Sequence, residues 1–376
     1  MKELEEGICS LDGVEANGVR GEDYGLALIR CSGKTVGFFT KNKVQAAPVK
    51  FTSQLIKENK RLDNVLVNSG CANAFTGQKG YEDAVWMSSL LDGKTGVCST
   101  GIIGKRVDKA WIEKNANYLK DNLLSDKKGS KNAADAIRTT DSFIKEIGVQ
   151  IGDVKVAGIA KGSGMIEPDM GTMLCFLYTN ADFSQNFLKR CLRKAMDKSF
   201  NMIVVDGDTS TNDSVLLTST ESLEKCDKKN FEEALDLVSE KLAKMIAKDG
   251  EGSTKLIEVT TKEGRNNREA KSASKEVLRS PLVKTMFYGE SSNLGRIVSA
   301  LGNSEAFIDE EKLEIMIQDT KVIEGGRIVA EDSKIKELVS DDEIHVEINL
   351  KLGVSEATVW GCDLSPRYVK INVGYS

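Results

Sequence analysis

Apolar residues arrive along this chain in short runs separated by polar, glycine-bearing loops, and only a few stretches repeat them at intervals of three and four. The short runs predict strands. Leu26-Ala27-Leu28-Ile29 and Val36-Gly37-Phe38-Phe39 read as two strands folded over a turn at Ser32-Gly33-Lys34, followed by strands at 64–68 and 96–98. Val149-Gln150-Ile151 and Val154-Lys155-Val156 alternate around Gly152-Asp153, the mark of a two-residue hairpin. Helical spacing appears at 81–91, at Ile112, Ala116, Leu119 and Leu123 after Asp108, and at Leu188, Cys191, Leu192 and Ala195. It is strongest in Phe231, Leu235, Val238, Leu242 and Met245, a helix closed by Asp249-Gly250. Lys127-Lys128-Gly129-Ser130 reads as a surface turn and 201–205 as a strand.

After a strand at 256–260, the polar stretch 262–268 is the best internal boundary and opens a C-terminal subdomain of about 262–376. A helix runs to Ser280-Pro281 and a second lies around 296–301, with strands at 313–317, 344–350 and 368–372. Strands and helices mixed in this way predict an α+β fold.

One loop stands out from this pattern. Ala160-Lys161-Gly162-Ser163-Gly164-Met165-Ile166-Glu167-Pro168-Asp169-Met170 leads to the step Gly171-Thr172, and an apolar run to Tyr178 follows at once. A plain loop capped by a threonine at a strand edge is compatible with these residues. So is an N-terminal nucleophile: if the chain cuts itself before Thr172, the freed α-amine, with a reference pKa near ~8, lies beside its own hydroxyl and can take its proton.

Composition narrows the choice. The 376 residues carry 52 Lys+Arg and 57 Asp+Glu, a net charge of −5 with the basic residues scattered, which argues against nucleic acid as a partner. The acidic N-terminus has no apolar leader core and no run approaches bilayer length, so a soluble cytoplasmic protein without a membrane partner is expected. Eight cysteines include no CxxC pair and read as reduced core thiols. The single histidine, His345, sits in an alternating strand pattern. A histidine-rich zinc site is excluded, no metal is expected, and no G-x-S-x-G elbow accompanies His345 to make a serine triad. Covalent acyl chemistry would need another base, a role that the α-amine of Thr172 fits.

Three further loops carry candidate chemistry. Ser69-Gly70-Cys71-Ala72-Asn73-Ala74, after an apolar strand, suits a site wall and a strand-to-helix turn equally. Ser99-Thr100-Gly101-Ile102-Ile103-Gly104-Lys105 lacks P-loop spacing, but the Gly101 N–H beside the Thr100 hydroxyl offers an oxyanion-binding pair. Asp206-Gly207-Asp208-Thr209-Ser210-Thr211-Asn212-Asp213 resembles a calcium loop only superficially, because Thr211 stands where glycine is needed and Leu217 where glutamate is needed.

At these residues the chain resembles the ornithine acetyltransferase family, also called glutamate N-acetyltransferase, of arginine biosynthesis. The matching segments include Ala46-Ala47-Pro48-Val49-Lys50, Val67-Asn68-Ser69-Gly70, Ser99-Thr100-Gly101, 161–174, 205–213, 249–255, 280–285, Gly295-Arg296-Ile297-Val298 and 368–372, spanning nearly the whole length.

The resemblance implies a layered α/β sandwich of the N-terminal-nucleophile type. It implies autocatalytic cleavage at Gly171-Thr172 into an α chain, 1–171, and a β chain, 172–376, which stay together as an α2β2 assembly. Thr172 then carries acetyl from N-acetylornithine to glutamate. Thr100 and Gly101 form the oxyanion hole, and Thr139, Lys161, Thr172, Glu251 and Asn372 bind substrate. No cofactor is implied, and the sequence leaves open whether acetyl-CoA also serves as donor, which would add acetylglutamate synthesis. On charge grounds Lys161 is expected to pair with a substrate carboxylate and Glu251 with the ornithine ammonium.

The chain departs from the family at Gly171, where alanine is common, at Leu294, where tryptophan is frequent, and in a tail one residue short, where Ser376 stands for the terminal substrate-binding hydroxyl. The rival enzyme is a self-processing N-terminal-nucleophile aminopeptidase or amidase, in which water resolves the acyl-enzyme. The rival of another class is an uncut binding protein that keeps only the pocket.

Overall fold

The computed structural model describes residues 1–167 and 173–374. The calls on chemistry at Gly171, Thr172 and Ser376 lie outside the described residues. The chain divides into two compact units, the first made of Met1–Asn201 and Asp208–Leu242, the second of Met202–Gly207 and Ala243–Ser376.

Among the described residues, the first unit is built on a nine-stranded mixed sheet. Its strands run in the order Lys2–Glu3, Lys145–Ile151, Val154–Lys161, Leu174–Ala181, Ser214–Leu223, Gly25–Phe39, Arg61–Ser69 and Thr95–Ser99, with Glu15–Arg20 paired to Gly25–Phe39 beside this line. Successive side chains of the central strands feed two cores. Ala27, Ile29, Val65 and Val67 join one with Ile159 and Phe176, while Leu26, Leu28 and Leu66 join another with Val97, Ile112 and Leu119. Burial on both faces is why these strands read as near-continuous apolar runs rather than as alternating ones.

Two expectations fail in this unit for physical reasons. The predicted turn at Ser32-Gly33-Lys34 is a bulge inside one 15-residue strand, Gly25–Phe39, whose register against Arg61–Ser69 shifts between Arg30 and Gly33. A Cβ on Gly33 would strike the Ser219 carbonyl of the next strand, so this glycine serves a close approach of backbones and not a reversal. Lys127-Lys128-Gly129-Ser130 is no surface turn. It opens the helix Lys127–Ala136, capped by Asp126 on the Gly129 N–H, with Gly129 and Ser130 buried.

The second unit holds a seven-stranded sheet among the described residues, in the order Arg327–Ile328, Thr320–Glu324, Glu314–Ile317, Glu343–Asn349, Leu256–Gly264, Ser355–Cys362 and Ile203–Val204. The helix Asn267–Arg279 packs on Leu256–Gly264 and Ser355–Cys362. Mixed sheets with packed helices make the chain α+β. The polar stretch 262–268 ends one strand of this sheet and starts that helix, and the second unit takes up the chain at Ala243.

The strand expected at 368–372 is a helix, Pro366–Gly374. Ser365 accepts from the Arg367 N–H and proline occupies the first helical position, a start signal that outweighs the local alternation.

All eight cysteines are free thiols, seven of them buried. His345 lies on the strand Glu343–Asn349 beside Glu258, its Nδ1 3.5 Å from the carboxylate. Among the described residues no helix is long and apolar enough to cross a membrane.

Candidate active site

Three of the candidate residues meet inside the first unit. Lys161 is the last residue of its strand and only 7% exposed. Its Nζ donates to Thr139 Oγ1 at 2.8 Å and to Thr100 Oγ1 at 3.2 Å, and lies 4.0 Å from Asp141 Oδ2. Because the ammonium occupies a lone pair on each hydroxyl, the hydroxyl hydrogen of Thr100 is left to point elsewhere.

The lysine is held by a carboxylate that local sequence patterns did not reveal. Asp141 Oδ1 accepts from Lys145 Nζ and from the Gly162 N–H, both at 2.7 Å, and Oδ2 accepts from the Thr139 N–H at 3.0 Å. Lys145 is fully buried, and its ammonium lies 4.9 Å from the Phe143 ring centroid. Burial pushes the Asp141 carboxyl up, but the charges of Lys161 and Lys145, with hydrogen bonds from Lys145 and the Gly162 N–H, outweigh it and hold it well below the usual carboxylate range. Lys161 thus keeps its ammonium within reach of two hydroxyls, in a place where it can meet a carboxylate.

The turn that carries Thr100 and Gly101 is tied down from two sides. The Thr100 N–H donates to Asn68 O at 3.0 Å, while Asn68 accepts from Ser99 Oγ at 2.5 Å and donates to Cys71 O at 2.8 Å. Asn212 Nδ2 donates to Ala72 O at 2.6 Å and to Ser99 O at 2.8 Å, so the loop rejected for calcium is a clamp on this turn. Gly101 has φ +129°, and a Cβ there would strike the Gly70 carbonyl carbon and the Cys71 nitrogen. Only glycine fits.

Glu251 and Asn372 meet in the second unit. Asn372 Nδ2 donates to Glu251 Oε2 at 2.7 Å and to Tyr368 O, one turn back in its own helix, at 3.0 Å. Glu251 itself follows the helix Lys228–Lys248, in a turn where Ser365 Oγ donates to Gly252 O at 2.5 Å and Asp363 accepts from the Thr254 and Lys255 N–H groups at 2.7 and 3.0 Å. Each unit therefore brings its own candidates together. Asp141, Lys145, Asn212 and Asp213 are the polar residues that sequence reasoning left without a role. For Asp141 the only local signal was its place next to Arg138-Thr139-Thr140.

A family model described as the ArgJ family matches residues 11–376. The chain is 44% identical over 396 residues to a glutamate N-acetyltransferase of Methanosarcina mazei, covering all of both. It is 39% identical over 381 residues to the arginine biosynthesis bifunctional protein ArgJ of Archaeoglobus fulgidus, covering 98% of this chain and 99% of that one. Among solved structures it is similar to the arginine biosynthesis bifunctional protein of Bacillus halodurans, at 38% identity and a TM-score of 0.52, covering 54% of this chain and 100% of that one.

Proposed function

Because this chain belongs to the ArgJ family, we propose that it is an acetyltransferase that moves acetyl from N-acetylornithine to glutamate through an ester on Thr172. The observation that carries this reading is the buried Lys161, which holds the Thr100 and Thr139 hydroxyls on one ammonium. In this reading the Thr100 hydroxyl serves the oxyanion, the Thr139 hydroxyl meets substrate, and the ammonium beside them adds a positive charge.

Thr172 attacks the acetyl carbonyl carbon as its own α-amine takes the hydroxyl proton, and the Thr100 hydroxyl with the Gly101 N–H stabilises the oxyanion. The carbon–nitrogen bond then breaks, the proton passes to the departing ornithine amine, and acetyl remains on the threonine. Glutamate reverses the sequence. The cluster of Lys145, Asp141 and Lys161 supplies the charge for the α-carboxylate common to both substrates. Glu251, fixed by Asn372, takes the ornithine ammonium.

Scission before Thr172 would yield chains of 1–171 and 172–376. The Bacillus halodurans chain is accounted for in full by 54% of this one, as a fragment of a cut protein would be.

Intact-mass analysis of the purified protein tests the reading. Two fragments are expected, the later one beginning at Thr172 and gaining one acetyl on incubation with N-acetylornithine. A full-length, unmodified chain that still transfers acetyl to glutamate at an undiminished rate would overturn it.

A further inference from the structure

Asp213 is 3% exposed, and its Oδ2 is buried with no hydrogen-bond partner. Its backbone is fixed from both neighbours. Thr40 N–H donates to Asp213 O at 3.0 Å, and the next residue, Ser214, donates its N–H to Met173 O at 3.0 Å. From there the strands run parallel with Ser214 opposite Leu174, so Asp213 stands at the mouth of the pair, level with Met173. The charged group facing its carboxyl is Lys161, and the Met173 N–H and the Thr40 and Ser210 hydroxyls hydrogen-bond to it. Burial pushes this carboxyl well above the usual carboxylate range against the pull of all four.

The Met173 nitrogen belongs to the peptide that joins residues 172 and 173. The α-nitrogen of residue 172 is only three covalent bonds away from it, each about 1.3–1.5 Å long. In the uncut chain that nitrogen is a neutral amide. After scission it becomes an amine that can carry a full positive charge. A nucleophile and its base are commonly completed by a third group that orients the base and offsets the charge it acquires.

We infer that Asp213 is this third group, a positioning residue whose buried carboxylate pairs with the α-amine that scission creates on Thr172 and stabilises the ammonium formed during acetyl transfer. The inference rests on the proposed cleavage. No new bond is made: the hydroxyl proton moves to the amine as the ester forms and leaves with ornithine, while Asp213 stays ionised throughout. Before scission one oxygen of this carboxyl, Oδ2, is buried without a hydrogen-bond partner, and the new amine supplies one.

The test is Asp213→Asn in the full chain, with wild type checked first by intact mass. The variant is expected to be cut, to keep the KM for N-acetylornithine within about twofold, and to lose about a hundredfold or more in kcat. The acid limb of its kcat/KM profile should move down by about one pH unit, because an ammonium without its carboxylate gives up its proton more readily. A merely structural role would not move that limb.

Two comparisons keep the outcome decisive. In an uncuttable Thr172→Ala chain, Asp213→Asn should leave the melting temperature unchanged or raise it, whereas in the cut protein it should lower it. The inference is overturned by a cut variant with kcat within threefold and an unmoved limb. It is equally overturned by a folded but uncut Asp213→Asn, or by a variant that fails to fold in the Thr172→Ala background too. An uncut wild type sinks both this inference and the covalent reading above. A cut wild type with an indifferent Asp213 sinks this inference alone.

Discussion

The two groups of candidate residues differ in how water reaches them. In the first unit Lys145 and Asp141 are fully buried at the side chain and Lys161 nearly so, and their hydrogen bonds run to one another, to the Thr139 and Gly162 N–H groups and to the Thr100 and Thr139 hydroxyls. In the second unit Asn372 is exposed on a helix near the chain's end and Glu251 is half-buried. Charges removed from water interact strongly and tolerate little displacement, whereas exposed ones are screened and exchange partners with solvent. The buried cluster is therefore suited to placing atoms at the reacting centre, and the exposed pair to telling one side chain from another.

The largest expected effect breaks the buried cluster. Asp141→Asn takes from Lys145 and Lys161 the buried carboxylate they share, which costs about 3–5 kcal/mol and lowers the melting temperature by roughly 5–10 °C. Differential scanning calorimetry reads this directly, and a change of only a degree or two would show that the cluster is wetter than its geometry implies.

The same carboxyl sets a pH signature. Its value in the folded protein lies below that of the unfolded chain, so its contribution to stability is present above the unfolded value of about 3.9 and is lost as pH falls through the folded one. Wild type should lose stability progressively below about pH 4, and Asp141→Asn should show a flatter profile there. Next in size is Gly101→Ala, whose Cβ has no room and whose φ is unfavourable for it. A loss of about a hundredfold or more in kcat, with the KM for donor little changed, is expected for a displaced oxyanion donor. An alanine variant with wild-type kcat would remove Gly101 from that role.

These effects follow contacts that the sequence showed unevenly. The position of Thr100 was legible because a short apolar strand there gives way to a glycine turn, whereas Lys161 was singled out by the resemblance of its segment to the family. Asp141 was not legible, since its partners Lys145, Gly162 and Lys161 come together only when the hairpin Lys145–Ile151 and Val154–Lys161 closes. Asp213 escaped for the same reason, its neighbours Thr40 and Met173 being brought to it by strands on either side. At 368–372 the alternation of Tyr368, Val369, Lys370 and Ile371 pointed to a strand, while the deciding residues, Ser365 and Pro366, stood just before it. Gly33 misled in the opposite direction, because glycine marks a tight packing of neighbours as readily as a turn.

The smallest expected effects lie in the exposed pair, and they sharpen the comparison most. Asn372 Nδ2 divides its hydrogen bonds between Glu251 and a carbonyl of its own helix, so removing it returns Glu251 to water and leaves no charge stranded. Asn372→Ala, Glu251→Gln and the double variant should each change stability by less than about 1 kcal/mol. A double-mutant cycle should give a coupling in the same range. Function should register the loss instead. Glu251→Gln is expected to raise the KM for N-acetylornithine about tenfold with kcat within twofold and with the KM for glutamate unchanged, since only ornithine carries a side-chain ammonium. Added salt should raise the same KM in wild type and leave the variant nearly flat, because screening weakens a pair that water can reach. Equal changes in both KM values would mean that Glu251 does not read the side chain, and a coupling of several kcal/mol would mean that this pair is as dry as the one around Asp141.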